Sequence, residues 1–332
     1  MRIFYLVVLV VMALAIPFPQ QTAGGFTSSS LLTGFNWVPG AGDTPSSALA
    51  KIGGTMYRSY GFPLSGGSSP NEIRLLRYRA AGAVQTCGGL PRYVAYGPEY
   101  SSEYYCPGEI TAYAASVRGH TWQLGNEINL QEQDYAGGDV LRFSHWLREV
   151  AHALHLVDSE STILGPSTWN WRGQGCCLGG DRILPPIVGF YGAHYDAHPA
   201  WDRGSVSLYS ASAPSSSALA GLKAEFDAAR VYYASLGLPV GVTEWGASRY
   251  ASDTDRYAYA YDGLAALAAG GATFALWCPS HHDPGNPGLA PLVNTDGSLS
   301  PEGRAHRDFV LGVATPTPGA QATPTVRPGR RL

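Results

Sequence analysis

From about residue 32 onward, short apolar runs alternate with longer stretches of helical spacing. The short runs are Leu32–Trp37, Thr55–Gly61, Pro91–Gly97, Thr121–Asn126, Thr162–Ser167, Ile187–Tyr195, Pro239–Glu244 and Thr273–Cys278. Most are apolar on both faces, the pattern of parallel strands covered by helices. The stretches between or after them that carry helical spacing are Asn71–Ala83, Ile110–Arg118, Val140–Val157, Ser216–Leu236, Thr254–Ala269 and Pro301–Val313. In the third of these, Leu141, Trp146, Val150, Leu154 and Val157 recur at three- to four-residue steps, a stripe that belongs to the core. Strand and helix alternating in this way within one domain-sized length predict an α/β fold, a single-domain (β/α)8 TIM barrel over residues 30–312. No GxGxxG follows the first strand, which argues against an open dinucleotide-binding sheet.

The two ends read differently. Arg2 precedes an unbroken apolar run from Ile3 to Ile16, followed by Pro17, Pro19 and the small residues Thr22 to Gly25. That order predicts a secretory signal peptide over residues 1–24, cut near Ala23 or kept as an anchor; the run is shorter than the ~20 residues of a spanning helix. The expected location is therefore secreted or envelope-associated, with no stable membrane span once the leader is gone. After Val313 the chain becomes a Thr/Pro-rich stretch, residues 313–332, with the composition of a solvated tail.

Composition narrows the partners. The formal charge is −3 with 14% charged residues, which leaves neither a basic stripe for nucleic acid nor an acidic block for cationic partners. A neutral, hydroxyl-rich partner fits, and 8 Trp and 20 Tyr could supply faces for sugars. Cys87, Cys106, Cys176, Cys177 and Cys278 lack zinc-site spacing, and an oxidising compartment makes them disulfide candidates. Cys87 precedes its expected strand whereas the other four follow strand ends, so Cys87 is the expected free thiol, and a bridge from Cys106 to Cys176 or Cys177 would tie two loops together.

In a barrel of this kind the chemistry gathers at the C-terminal ends of the strands. The fourth expected strand runs straight into Asn126-Glu127, and the seventh into Glu244-Trp245-Gly246. A carboxylate at the exit of a buried strand is either paired or functional, because an unpaired buried charge is costly. Two of them on strands four and seven face each other across the mouth. Paired carboxylates across a groove are what acetal hydrolysis needs, one to protonate the leaving oxygen and one to attack or to activate water.

Here the sequence resembles the clan of retaining glycoside hydrolases on (β/α)8 barrels that includes cellulase-like, mannanase-like and β-xylosidase-like families. Leu124-Gly125-Asn126-Glu127 is similar to the clan's acid/base strand, and Val242-Thr243-Glu244-Trp245-Gly246 to its nucleophile strand. The resemblance implies Glu244 as nucleophile and Glu127 as acid/base, with Asn126 on the sugar's C2 hydroxyl and Arg58, at the end of the second strand, keeping Glu244 charged. It further implies Trp277 under the sugar and His194 or Tyr195, from the end of the sixth strand, at the substrate or the nucleophile. Those two are adjacent, so at most one points inward, and His194 shares a face with Asp196. Trp245 and Trp37 complete the expected substrate-binding set, with Trp169 and Trp171 as further possible platforms.

No cofactor or metal is expected. His198, His281 and His282 lie near Asp196, Asp202 and Asp283, but their spacing is that of solvated rim residues. The expected activity is double-displacement cleavage of O-glycosidic, β-linked bonds of a polysaccharide or oligosaccharide by a monomeric O-glycosyl hydrolase. The alternatives are a carbohydrate-binding barrel without catalysis, a transglycosylase, or a structural envelope protein.

Overall fold

The computed structural model describes residues 31–59, 71–76, 118–130, 140–173, 177–195, 201–210 and 213–313, with short pieces between 86 and 116. The expected leader and the Thr/Pro tail after Val313 lie outside these residues. Eight strands form one parallel sheet: β1 (Leu32–Asn36), β2 (Met56–Ser59), β3 (Glu72–Leu76), β4 (Thr121–Leu124), β5 (Thr162–Leu164), β6 (Gly204–Tyr209), β7 (Val240–Gly246) and β8 (Phe274–Trp277). Their spatial order is β6-β7-β8-β1-β2-β3-β4-β5. The open seam between β5 and β6 is stitched by bridges Leu164–Arg203 and Trp169–Ser207, so the sheet is a nearly closed barrel.

Helices α1 (Pro45–Ile52), α2 (Val140–Val157), α3 (Gly180–Tyr195), α4 (Ser216–Ser235), α5 (Asp253–Ala269) and α6 (Pro301–Val310) follow strands β1, β4, β5, β6, β7 and β8. Their starts are written in the sequence: Thr44, Ser215, Ser252 and Ser300 each accept a hydrogen bond from a backbone N–H of the first turn. The main core lies between the sheet and this helical layer, with Trp122, Phe143, Leu147, Phe226 and Trp245 fully buried in it. A second, smaller cluster of Ile73, Leu164, Phe274 and Leu276, with Met56 against it, fills the lower barrel interior. At Gly34 a Cβ would sit 1.6 Å from the Met56 carbonyl oxygen, so β1 and β2 approach as closely as they do only with glycine there.

Six of the expected strands stand, with modest shifts at their ends, and two do not. The third barrel strand is Glu72–Leu76, where a helix was expected to begin; Tyr93–Tyr96, inside the expected Pro91–Gly97 strand, instead pairs antiparallel with Ser102–Tyr105 outside the barrel sheet. Glu72 and Arg74 obscure the strand pattern because they are buried as an ion pair at 2.7 Å, with Ser59 donating to Glu72. The expected sixth strand, Ile187–Tyr195, belongs to α3, and the real one is Gly204–Tyr209. Ile183, Leu184 and Ile187 are buried at helical spacing, and Pro185-Pro186 lies inside the helix. Of the helix expected at Ile110–Arg118, residues 112 and 114–116 are described and are helical.

Candidate active site

Alternation along the strands decides which side chains reach the barrel interior, except in β7, where a register shift between Val242 and Trp245 turns Glu244 inward. Above the lower apolar cluster sits a polar layer built from Asn36 (β1), Arg58 (β2), Gln123 (β4) and Glu244 (β7). Arg58 is fully buried and is its centre. Its Nε donates to Asn36 Oδ1 at 2.5 Å, its Nη1 to Gln123 Oε1 at 2.7 Å and to Asn126 Oδ1 at 3.1 Å, and its Nη2 to Glu244 Oε1. Asn36 is itself fixed by donating from Nδ2 to the Thr243 carbonyl at 3.0 Å, one residue before Glu244. One rigid guanidinium thus binds the carboxylate at the exit of β7 and the carboxamide beyond β4 at once, which brings the two strand ends to the same place.

The second oxygen of Glu244 accepts a hydrogen bond from the Tyr209 hydroxyl at 2.7 Å. Glu244 is 6% exposed, so both oxygens are oriented by donors in a site that excludes most solvent. Tyr209 ends β6, and its backbone N–H donates to Asn170 Oδ1 at 2.9 Å. Sequence reasoning missed Tyr209. The signal was the run Gly204-Ser-Val-Ser-Leu-Tyr209, whose small inward serines hide its strand character.

Glu127 stands three residues beyond β4. The chain leaves the strand through Gly125 at φ +87° and reaches Glu127 at φ +45°, a left-handed conformation that costs a side-chain-bearing residue about 1–2 kcal/mol. The turn is braced by Ser167, beyond β5: the Glu127 N–H donates to Ser167 Oγ at 3.1 Å, and the Ile128 N–H to the Ser167 carbonyl at 3.0 Å. Backbone strain of this kind persists where surrounding structure overdetermines it, and it clusters at functional sites.

The remaining expected site residues separate into groups. Arg58, Asn126 and Glu244 share one hydrogen-bond network, and Glu127 follows Asn126 on the same turn. Trp37 is half-buried beyond β1, edge-on to His281 with ring centroids 5.4 Å apart. Trp277 and Trp245 are not sugar platforms: both are fully buried, packed against each other at 4.6 Å and against His306 of α6. Inward-facing Leu276 and Glu244 are their strand neighbours, so both indoles must point outward to the helices. His194 and Tyr195 lie on the last turn of α3 and not at a strand end; their side chains are outside the described residues. Trp171 is buried against Tyr232 and Tyr233, whereas Trp169 is half-buried at the end of β5.

His281 is a buried tie between loops. Its Nε2 lies 3.1 Å from Asp43 Oδ2, and Lys51 bridges Asp43 at 2.7 Å to the Gly297 carbonyl at 3.1 Å. Burial pushes the Asp43 carboxyl up, but hydrogen bonds from Lys51, Ser47 and His281 outweigh it and hold the group at about 2. His282 is exposed, and among the described residues no cluster of His, Cys, Asp or Glu could hold a metal ion. Cys278, expected among the disulfide candidates, is buried beside β8 and forms no disulfide. The Cys87 side chain is outside the described residues; Cys177 is disulfide-bonded to a sulfur that also lies outside them.

A nearly closed (β/α)8 barrel with glutamates at the exits of strands four and seven, one of them gripped by a buried arginine and a tyrosine, defines a class of site suited to acid/base and nucleophilic work on a neutral substrate. No protein-family model matches the sequence, and no curated protein does. Solved structures do match the fold. A glucosidase from Croceicoccus marinus superposes with a TM-score of 0.59 at 12% identity, covering 86% of this chain and 68% of that one. A GH128 endo-β-1,3-glucanase from Pseudomonas viridiflava gives 0.57 at 15%, covering 84% and 97%. A GH10 structure from Paenibacillus barcinonensis gives 0.53 at 15%, covering 85% and 95%. At these identities the likeness establishes the shared barrel.

Proposed function

We propose that this chain is a secreted retaining glycoside hydrolase acting on β-linked polysaccharide or oligosaccharide. Glu244 attacks the anomeric carbon while Glu127 protonates the departing oxygen; Glu127 then takes a proton from the water that releases the sugar. Arg58 and Tyr209 orient Glu244 and balance its charge before attack. Asn126 sits beside Glu127, in reach of the C2 hydroxyl of a sugar bound between the carboxylates. The observation that carries this reading is the double grip on Glu244: one oxygen on Arg58 and the other on Tyr209, toward the C-terminal ends of the barrel strands. Lectins have no need of a nucleophile held in that way. The structural likeness to a glucosidase and to a β-1,3-glucanase supports the same chemistry, and the apolar run after Arg2 supports export.

The test is reducing-sugar release from β-glucans, mannans, xylans and galactans by residues 25–332, run beside Glu127→Gln and Glu244→Gln. Cleavage by the parent and its near-complete loss in both variants is the expected result. Cleavage unaffected by either substitution would overturn the assignment, and binding without cleavage would make the barrel a lectin. Longer products in the presence of acceptor sugars would mark a transglycosylase.

A further inference from the structure

Ser167 is fully buried at the end of the β5 run and carries no charge, yet it touches every part of the β4 exit. Its N–H donates to the Gly125 carbonyl at 3.3 Å, and its own carbonyl accepts from the Ile128 N–H at 3.0 Å. Its hydroxyl accepts from the Glu127 N–H at 3.1 Å and from Gln123 Nε2 at 3.1 Å, and it donates to Asn126 Oδ1 at 3.4 Å. A serine hydroxyl has one proton and two lone pairs, and here all three are used.

The consequence for Asn126 follows from donor inventory. Arg58 can only donate, so the Asn126 atom facing Nη1 must be the oxygen. The Ser167 hydroxyl has its lone pairs taken by Glu127 and Gln123, so its proton goes to the same oxygen. Two donors on Oδ1 fix the plane of the carboxamide and turn its NH2 away from Arg58. Gln123 closes the circuit: its Oε1 accepts from Arg58 Nη1 at 2.7 Å and its Nε2 donates to Ser167. A continuous chain of buried hydrogen bonds therefore runs from Glu244 through Arg58, Gln123 and Asn126 to Ser167 and the strained backbone of Glu127.

We propose that Ser167 is a positioning residue that sets the Asn126 carboxamide and the Glu127 backbone against the Arg58–Glu244 pair, holding acid/base and nucleophile in one frame. It touches no reacting atom and acts through the residues that do. The proposal rests on the hydrolase reading for its kinetic consequence and on geometry alone for its structural one.

Two measurements on Ser167→Ala test it. With aryl glycosides of the sugar the parent cleaves, kcat is expected to fall about a hundredfold, the scale of an ångström-sized misplacement, with KM little changed. With the matching 2-deoxy glycoside the loss should be at least about threefold smaller, because an Asn126 amide out of place loses nothing on a substrate without the C2 hydroxyl. Equal losses on both substrates, or a kcat within twofold of the parent, would overturn the role. The second measurement is a crystal structure of Ser167→Ala, which does not depend on activity. It should show the Asn126 carboxamide rotated, with or without a shift of Glu127; an unmoved Asn126 would refute the proposal. A parent that cleaves nothing would sink the hydrolase reading while the crystal structure still decides the role of Ser167.

Discussion

Replacing Arg58 by methionine removes the one cation in the polar layer and leaves the other groups in place. Arg58 is fully buried and Glu244 nearly so, and removing one partner of such a pair costs about 3–5 kcal/mol because the remaining charge is uncompensated. Asn36 Oδ1, Gln123 Oε1 and Asn126 Oδ1 also lose their shared donor, although Asn126 keeps Ser167. Because the Glu244 side chain keeps 8% of its surface exposed, some water can reach it, which puts the expected cost toward the lower end, about 3–4 kcal/mol. That is a large part of the ~5–15 kcal/mol that stabilises a domain. Urea denaturation followed by fluorescence measures it. Adding Glu244→Gln to Arg58→Met removes the stranded charge, so the double variant should be no less stable than Arg58→Met alone, and the two substitutions should show a coupling of about 2 kcal/mol. Additivity within about 0.5 kcal/mol would refute the reasoning, since uncoupled sites behave that way. Should Arg58→Met not fold, Arg58→Lys supplies the second arm: it retains the charge but cannot make the four-way fork, and it should be destabilised less.

Three further outcomes follow from particular contacts. Tyr209→Phe removes a hydrogen bond to a charged group, worth about 1.5–3 kcal/mol, so kcat should fall about ten- to a hundredfold with KM held; steady-state kinetics within twofold of the parent would contradict the orienting role. Glu127→Gly abolishes cleavage but relieves a left-handed conformation, so Tm should rise by about 2–4 °C in calorimetry, and a fall in Tm would mean the turn is unstrained. His306 is buried between Trp245 and Trp277, and burial pushes its imidazole from 6.5 down to about 4. The unfolded chain binds its proton first as pH falls, so about 3 kcal/mol of stability is present above pH 6.5 and is lost between there and pH 4. His306→Phe should flatten the stability profile in that window, and an unchanged slope would contradict it; the Asp43 carboxyl, held at about 2, loses its contribution only at lower pH.

How much of this the chain announces depends on what each residue faces. Strands β1, β2, β4, β5, β7 and β8 are legible because apolar residues occupy both of their faces, and Glu127, Glu244, Asn126 and Arg58 stand out as polar groups where those runs end. β3 is hidden by Glu72 and Arg74, whose pairing makes charge tolerable in a buried strand but is invisible without the third dimension. β6 is hidden by Ser205 and Ser207, small inward residues of a barrel wall, while the apolar Ile187–Tyr195 run competes for the assignment and belongs to a helix. Losing β6 also hid Tyr209. The tryptophans show a different limit. Strict alternation from the buried Val240 and Val242 would turn Trp245 inward, and only the register shift between Val242 and Trp245 sends it to the helices, while Trp277 needed the knowledge that Leu276 fills the lower barrel. Ser167 has no sequence signature, because its importance lies in three hydrogen bonds to residues about 40 positions earlier.

The roles assigned to the two glutamates separate most sharply in azide rescue with an activated aryl glycoside. In Glu244→Gly, azide should take the place of the nucleophile and give a glycosyl azide of inverted configuration; in Glu127→Gly, it should intercept the sugar bound to Glu244 and give the retained one. That pair of products, read by proton NMR, is the expected result. Inverted azide from both variants, or rescue of neither while the parent is active, would contradict a covalent intermediate on Glu244.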